Sequence, residues 1–200
     1  MSQARPSRRV SGLLLAAGLS RRMTKANKLL IEIDGEALVR RAARPLCAAG
    51  LDPVIVVTGH QAEAVERALA GLPVTMVRSP DPAAGMGASL ACGARALPAG
   101  IDAVLIALGD MPDLAPQHFC TLLDAFDPEA SAVILRPQFK GRPGHPVLFG
   151  AAYIDELATL SGDEGARAVI ASHLDAFRCI AVDDPAVCRD LDRRGDIRGP

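Results

Sequence analysis

Four cations fall within eight residues, at Arg21, Arg22, Lys25 and Lys28. They follow a run of small residues, Ala16-Ala17-Gly18-Leu19-Ser20, which itself follows the apolar Gly12-Leu13-Leu14-Leu15. A buried strand that feeds a small-residue loop and then fixed positive charge is a site for phosphates. Loop N–H groups point at the oxygens, and glycine turns the chain without a Cβ clash. The order is neither the G-x-x-x-x-G-K-[ST] of a P-loop nor the G-x-G-x-x-G of a dinucleotide fold. A tight strand-to-helix turn with solvated Arg and Lys is the alternative. Further along, Asp110 closes the apolar stretch 102–108 in Gly109-Asp110-Met111-Pro112. A carboxylate at the carboxyl end of a buried strand lies where open α/β sheets take ligands. It could simply cap the next turn. Beside a phosphate loop it suits Mg²⁺, which is held by one or two carboxylates plus substrate phosphates. Asp163, Asp190 and Asp192 are candidates for a second carboxylate.

Two further stretches carry chemistry. In Gly85-Met86-Gly87-Ala88-Ser89-Leu90 the glycines would let a flat base approach the backbone, and Ser89 could hydrogen-bond it. A Gly-rich helix entry with Ser89 as a cap fits the same residues. In 136–145 (RPQFKGRPGH), Lys140, Arg142 and His145 could hold a second anionic ligand, or form a solvated basic hairpin. His60, His118 and His173 are isolated and read as surface or packing residues.

The elements that must position these residues alternate. Strands are expected at 12–15, 54–57, 74–77, 102–108, 132–135 and 177–182, with 29–33 and 145–149 extended. Helices are expected at about 37–49, 61–70, 86–97, 116–124, from 151, and at 166–174. The continuous β-branched run 54–57 marks a strand covered on both faces. Strand–helix alternation of this kind gives a mostly parallel sheet with crossover helices. Half the residues are apolar but only 3% are aromatic, so the core must be Leu, Val, Ile and Ala. A formal net charge of −1 argues against a dedicated nucleic-acid binder. No apolar run approaches the ~20 residues of a spanning helix, so no membrane role is expected. Five widely spaced cysteines without a C-x-x-C pair argue against a disulfide framework or zinc site; Cys47, Cys92 and Cys120 read as buried small hydrophobes. A cytoplasmic, reducing location is the expectation. Residues 1–8 are expected to be disordered, with a single domain over 9–197.

Taken together, these stretches resemble the MobA-like nucleotidyltransferases, most closely the molybdenum cofactor (molybdopterin) cytidylyltransferases. The resemblance rests on L-L-A-A-G-L-S-R-R-M-x-x-x-N-K-L-L at 14–30, G-M-G-x-S-L at 85–90 and G-D-M-P at 109–112. It continues with R-P-G-H-P-V-L-F at 142–149, G-D-E-G-A-R at 162–167 and D-L-D-R-R-G-D-I at 190–197. It implies an α/β, Rossmann-like three-layer αβα fold, its sheet mostly parallel with one antiparallel strand. It implies Mg²⁺-dependent transfer of a nucleotidyl group to a phosphorylated acceptor, with release of pyrophosphate. On the same footing, Leu15, Ala16, Ala17, Gly18 and Ser20 would line base and phosphates, and Arg22 and Lys28 would clamp the triphosphate. Gly85, Gly87 and Ser89 would complete the base pocket. Arg142, Gly144, His145 and Asp163 would face the acceptor. Asp110 would hold Mg²⁺, with Asp192 as a second candidate ligand. The guanylyl branch of the family shows L-A-G-G; Leu15-Ala16-Ala17-Gly18 here, with G-H-P-V at 144–147, points to CTP, with molybdopterin or the molybdenum cofactor as acceptor. A molybdoenzyme or its chaperone is the implied transient partner. The alternatives are a guanylyltransferase or another nucleotidyltransferase of the same fold, a non-catalytic molybdenum cofactor-binding chaperone, and an oxidoreductase, against which the missing G-x-G-x-x-G speaks. Thr24 and Arg193-Arg194 depart from the family pattern.

Overall fold

The structure is a computed structural model and describes residues 8–19 and 27–191. Its sheet is built from runs that are apolar on both faces. β1 (Val10–Ala16), β4 (Val54–Thr58) and β6 (Ala103–Leu108) are almost wholly buried. Such runs suit a sheet whose two faces are both covered by helices. β2 (Glu32–Ile33) and β3 (Glu36–Ala37) form a separate two-stranded ribbon after the first loop. The main sheet is completed by β5 (Thr75–Arg78), β7 (Ile134–Phe139), β8 (Arg142–Pro143), β9 (Val147–Gly150) and β10 (Phe177–Ala181). The strand order is β10-β7-β9-β6-β1-β4-β5, with β8 paired to β7.

All neighbours along that order are parallel except across β9, which is antiparallel to both β6 and β7. The single reversed strand is thus present, and the two-residue β8 is also antiparallel to β7. The helices are α1 (Leu38–Ala48), α2 (Ala62–Ala68), α3 (Met86–Arg95), α4 (Pro116–Ala125), α5 (Ile154–Thr159) and α6 (Arg167–Ser172). α1, α2 and α4 pack on one face through Val39, Leu46, Val65, Phe119 and Leu122, against Leu14, Val56 and Leu105. On the other face, α3, α5 and α6 place Leu90, Ala94, Leu157 and Val169 over Leu13, Ile55, Ile106 and Phe149. Side chains that alternate along each strand therefore feed two cores, one on either side of the sheet. None of the helices among the described residues is long and apolar enough to cross a membrane.

Several local expectations are corrected. Residues 28–30 form a 3-10 turn rather than extended chain, because the Asn27 side chain caps it by accepting from Leu29 N at 3.1 Å. The cationic stretch after Leu135 is not all loop. β7 runs on to Phe139 because its pairing with β10 continues to Ala181 opposite Gln138. The helix expected from 151 begins as a 3-10 turn, Ala151–Tyr153, before α5. Cys120 is exposed, on the outer side of α4, and Cys47 and Cys92 are only partly buried.

Chain order and sheet order disagree at one place that matters. From β1 the chain builds outward through β4 to β5, then returns to the opposite side of β1 with β6. A crevice opens at such a switch point, beyond the carboxyl ends of the two strands. β1 and β6 end together there, with Leu15 opposite Leu108. Phe149 anchors the reversed strand beside this crevice. It is fully buried, stands opposite both Val104 and Ile134, and meets Tyr153 edge-on at 6.5 Å between ring centroids. Phe149→Ala is expected to cost about 3–5 kcal/mol of stability, the usual range for emptying a buried phenyl site. Urea unfolding of the two proteins measures it.

Candidate active site

The loop leaving β1 passes from buried to open within three residues. Ala16 and Ala17 are almost fully covered, whereas Gly18 is exposed. The place of a Cβ at Gly18 meets no atom of the described residues within 4 Å. Among the described residues of this loop, Leu15, Gly18 and Leu19 are open to solvent. Ala17 instead packs its methyl against Gly59, where an added Cβ would lie 2.9 Å away. Chain returning to the site is pinned by Asn27, 3% exposed, whose Nδ2 donates to His60 O at 3.0 Å. That anchor delivers Lys28 to the end of β6.

Lys28 Nζ meets Asp110 Oδ2 at 2.6 Å, both side chains 18% exposed. Asp110 is held from both sides by main chain. Gly109 N donates to Leu15 O at 2.9 Å, and Leu191 N donates to the Asp110 carbonyl at 2.9 Å. Its second carboxylate oxygen, Oδ1, is buried and has no hydrogen-bond partner among the described residues. A leftover carboxylate oxygen beside a lysine is a fit for a hard divalent cation, which seeks oxygen ligands. No cluster of three His, Cys, Asp or Glu that could hold a metal occurs among the described residues. A cation on Asp110 would draw its other ligands from substrate phosphates and water.

From this pair a cavity of about 1110 Å³ extends across β6, β9 and β7 towards α6. Its floor includes Leu15, Ile106 and Val147, and its wall includes His145, Arg136 and Arg167. Gly144 and His145 are fixed by the segment beyond β10. His145 N donates to Val187 O at 2.7 Å, and a Cβ at Gly144 would run into that same carbonyl. The segment is itself tied down by His118–Asp184 at 3.0 Å and Arg189–Asp113 at 2.9 Å. Backbone donation from Ala186 holds the Asp184 carboxyl below its ordinary range. Nδ1 of His145 is buried without a partner among the described residues. Burial, with the nearby charges of Arg136 and Arg167, pushes the imidazole down to about 3, so it is neutral at physiological pH.

The glycines at 85 and 87 do something the sequence did not reveal. Gly85 has φ +101°, and the place of its Cβ is taken by the Gly162 carbonyl. Gly87 N donates to the same carbonyl at 2.7 Å, and its own Cβ place lies 2.5 Å from Ser161 O. The start of α3 and the Ser161-Gly162-Asp163 loop thus meet backbone to backbone. Ser89 Oγ donates back to Gly85 O at 3.2 Å, a local bond within the helix.

The MobA-like NTP transferase domain matches residues 12–177. The chain belongs to this family. It is 31% identical to "Nicotine blue oxidoreductase" of Paenarthrobacter nicotinovorans, over 92% of each chain. It is also 31% identical to "Purine catabolism protein PucB" of Bacillus subtilis, over 90% of each. Among solved structures, Rv0371c of Mycobacterium tuberculosis H37Rv superimposes with TM-score 0.80 at 27% identity, over 95% of each chain. A nucleotidyl transferase of Methanothermobacter thermautotroptrophicus gives TM-score 0.81 at 25% identity, over 95% of this chain and 94% of that one. The Rv0371C complex with manganese gives TM-score 0.74 at 28% identity, over 94% and 95%.

In this MobA-like nucleotidyltransferase the structure brings Lys28, Asp110, Arg142, Gly144, His145 and Asp163 around one cavity. Ser20, Arg22 and Asp192 lie outside the described residues. Three residues that the sequence reading gave no role of their own are Asn27, Arg136 and Arg167, although each lies in a stretch it singled out. Asn27 had a signal, an Asn directly before a short turn, where its side chain can cap. Arg136 opens the basic stretch 136–145, but an arginine after the apolar run 132–135 reads as a strand end.

The neutral imidazole makes a pH prediction for the family member. The unfolded chain takes up a proton at His145 as pH falls through about 6.5, while the folded chain resists until about 3. The unfolded state then binds more protons, so stability falls as pH drops through that window. His145→Asn should flatten this part of the profile, as measured by urea unfolding between pH 7.5 and 4.5. An unchanged slope would rule out the buried neutral imidazole.

Proposed function

We propose that the protein transfers a cytidylyl group from CTP to a terminal phosphate oxygen of molybdopterin and releases pyrophosphate, with Mg²⁺. The observation that supports this most directly is the Lys28–Asp110 contact of 2.6 Å, with Asp110 Oδ1 left over at the switch point of the sheet. Phosphoryl and nucleotidyl transfers ask a protein mainly for positioning and charge neutralisation. Lys28 supplies a fixed cation where triphosphate charge builds. Asp110 offers its free oxygen to the metal. Mg²⁺, when bound, neutralises charge on the phosphates and orients them for in-line attack. The exposed backbone at Gly18 accepts the close approach of a phosphate. The acceptor phosphate is already ionised at neutral pH, so no general base is needed.

The choice of CTP rests on Leu15-Ala16-Ala17-Gly18 together with Gly144-His145-Pro146-Val147, which resemble the cytidylyl branch. With Ala17 buried against Gly59, selection by that residue would act through the set of the loop rather than through its methyl. The acceptor would lie along the cavity towards Gly144, His145 and Asp163. A redox reading is suggested by the name of the Paenarthrobacter relative alone, and the chain carries no G-x-G-x-x-G.

One assay tests the proposal. The protein is incubated with Mg²⁺, molybdopterin and each NTP in turn, and pyrophosphate is followed. Release with CTP alone is expected; release with GTP alone would move the chain to the guanylyl branch, and release with no NTP would sink the reaction. Asp110→Ala should abolish turnover, and wild-type rates at saturating Mg²⁺ and CTP would refute its assignment. Lys28→Ala or Arg22→Ala should each cost on the order of 2–4 kcal/mol of transition-state stabilisation, read from kcat/KM, by analogy with losing one preorganised donor.

A further inference from the structure

Two stretches of chain, 110–118 and 184–191, are joined by three contacts. Leu191 N donates to Asp110 O at 2.9 Å. Arg189 Nη1 donates to Asp113 Oδ2 at 2.9 Å. His118 Nε2 lies 3.0 Å from Asp184 Oδ2. Residue numbers rise along one stretch as they fall along the other, so the contacts are the rungs of a short antiparallel clasp. Its last rung falls on the residue that carries the candidate metal carboxylate.

Strand pairing alone does not set Asp110. β6 ends at Leu108, two residues earlier. The Leu191 amide reaches it from a stretch whose only regular structure is the 3-10 turn Pro185–Cys188, so Leu191 is placed by the rungs behind it. The far rung is fixed in direction. Nδ1 of the buried His118 accepts from Ala115 N at 3.0 Å, so the ring proton sits on Nε2 and points at Asp184. The other oxygen of Asp184 accepts from Ala186 N at 2.9 Å and caps the 3-10 turn. One carboxylate thus starts the stretch and ties it to α4. The middle rung is part-exposed, and such pairs add little to stability. What it supplies is placement: Asp113 lies three residues from Asp110, and Arg41 Nε braces the same turn by donating to Pro112 O at 3.3 Å.

We propose that His118, Asp184 and Arg189 are positioning residues for Asp110, which act through the clasp without touching substrate. The need for Asp110 to be placed rests on the nucleotidyl-transfer reading above. Displacement of a reacting group by about 1 Å can cost about 100-fold in rate, which gives distant contacts of this kind their leverage.

Two substitutions open the clasp at different rungs. Asp184→Asn keeps the size of the side chain, but both carboxylate oxygens accept hydrogen bonds, so either setting of the amide turns an N–H towards a donor. Arg189→Met removes the part-exposed rung and is expected to leave the urea midpoint nearly unchanged. The full chain is titrated calorimetrically with inorganic tripolyphosphate, with and without Mn²⁺. The gain in affinity from Mn²⁺, which Asp110→Ala should erase, reports the carboxylate. Each clasp variant should shrink that gain at least threefold while affinity for tripolyphosphate alone stays within twofold, and Arg189→Lys should restore most of it. In turnover, the Mg²⁺ concentration for half-maximal rate should rise at least threefold in both variants. An undiminished gain, or equal loss with and without Mn²⁺, overturns the proposal. If the gain shrinks as expected but no NTP yields pyrophosphate, the positioning role stands and the transfer reading fails. If CTP turns over with unchanged Mg²⁺ demand in both variants, the transfer stands and the positioning role fails.

Discussion

The ends of β1 and β6 are held level by one short backbone contact, Gly109 N to Leu15 O at 2.9 Å, at the close of a six-pair parallel register. Everything chemical in the molecule depends on that alignment. A slip of one residue would turn every side chain of β6 to the opposite face and carry Asp110 out of reach of Lys28. The register is secured by burial on both faces, since Leu13, Leu14, Leu105 and Ile106 all lose a core position if it shifts. Apolar packing therefore does for a carboxylate and an amine what neither could do in solution: it sets them 2.6 Å apart in partial shelter from water, where the pair interacts more strongly than at the surface.

A second layer of constraint comes from the segment 184–191. It has little regular structure beyond a short 3-10 turn, Pro185–Cys188. It nevertheless touches both halves of the site, through Val187 O to His145 and through Leu191 N to Asp110 O. Its own anchors are side-chain contacts, Arg189 to Asp113 and Asp184 to the buried His118. Asp110 and His145 are thus referenced to one strip of chain, which fixes their separation independently of the sheet.

Much of this was legible in the sequence, and the physical reason differs from element to element. The runs 54–57 and 102–108 announced themselves because a strand buried on both faces has no polar alternation to confuse it. Asp110 stood out at the carboxyl end of such a run, where a turn cap fitted it as well; the fold sets it against Lys28. The second half of β7 was not legible: Arg136-Pro137-Gln138 is poor strand chemistry, and only the neighbouring β10 makes it a strand. Arg136 was missed as a site residue for the same reason. The bracing role of 184–191 was invisible because its contacts to Asp110 and His145 are made by backbone amides and carbonyls, which any residue type carries. The glycines at 85 and 87 were noticed but assigned to an approaching base; in the fold they admit another stretch of the same chain.

That last contact has a consequence for how the scaffold could acquire new substrates. The loop at 161–163 and the entry to α3 share a hydrogen bond and a close, largely main-chain surface. Neither can be exchanged alone. A loop grafted from a relative at 161–163 would need its carbonyls in the same place, and a bulkier entry to α3 would push the loop away whatever its sequence. For recombination and library design the two segments are a single module, 75 residues apart along the chain from Gly87 to Gly162.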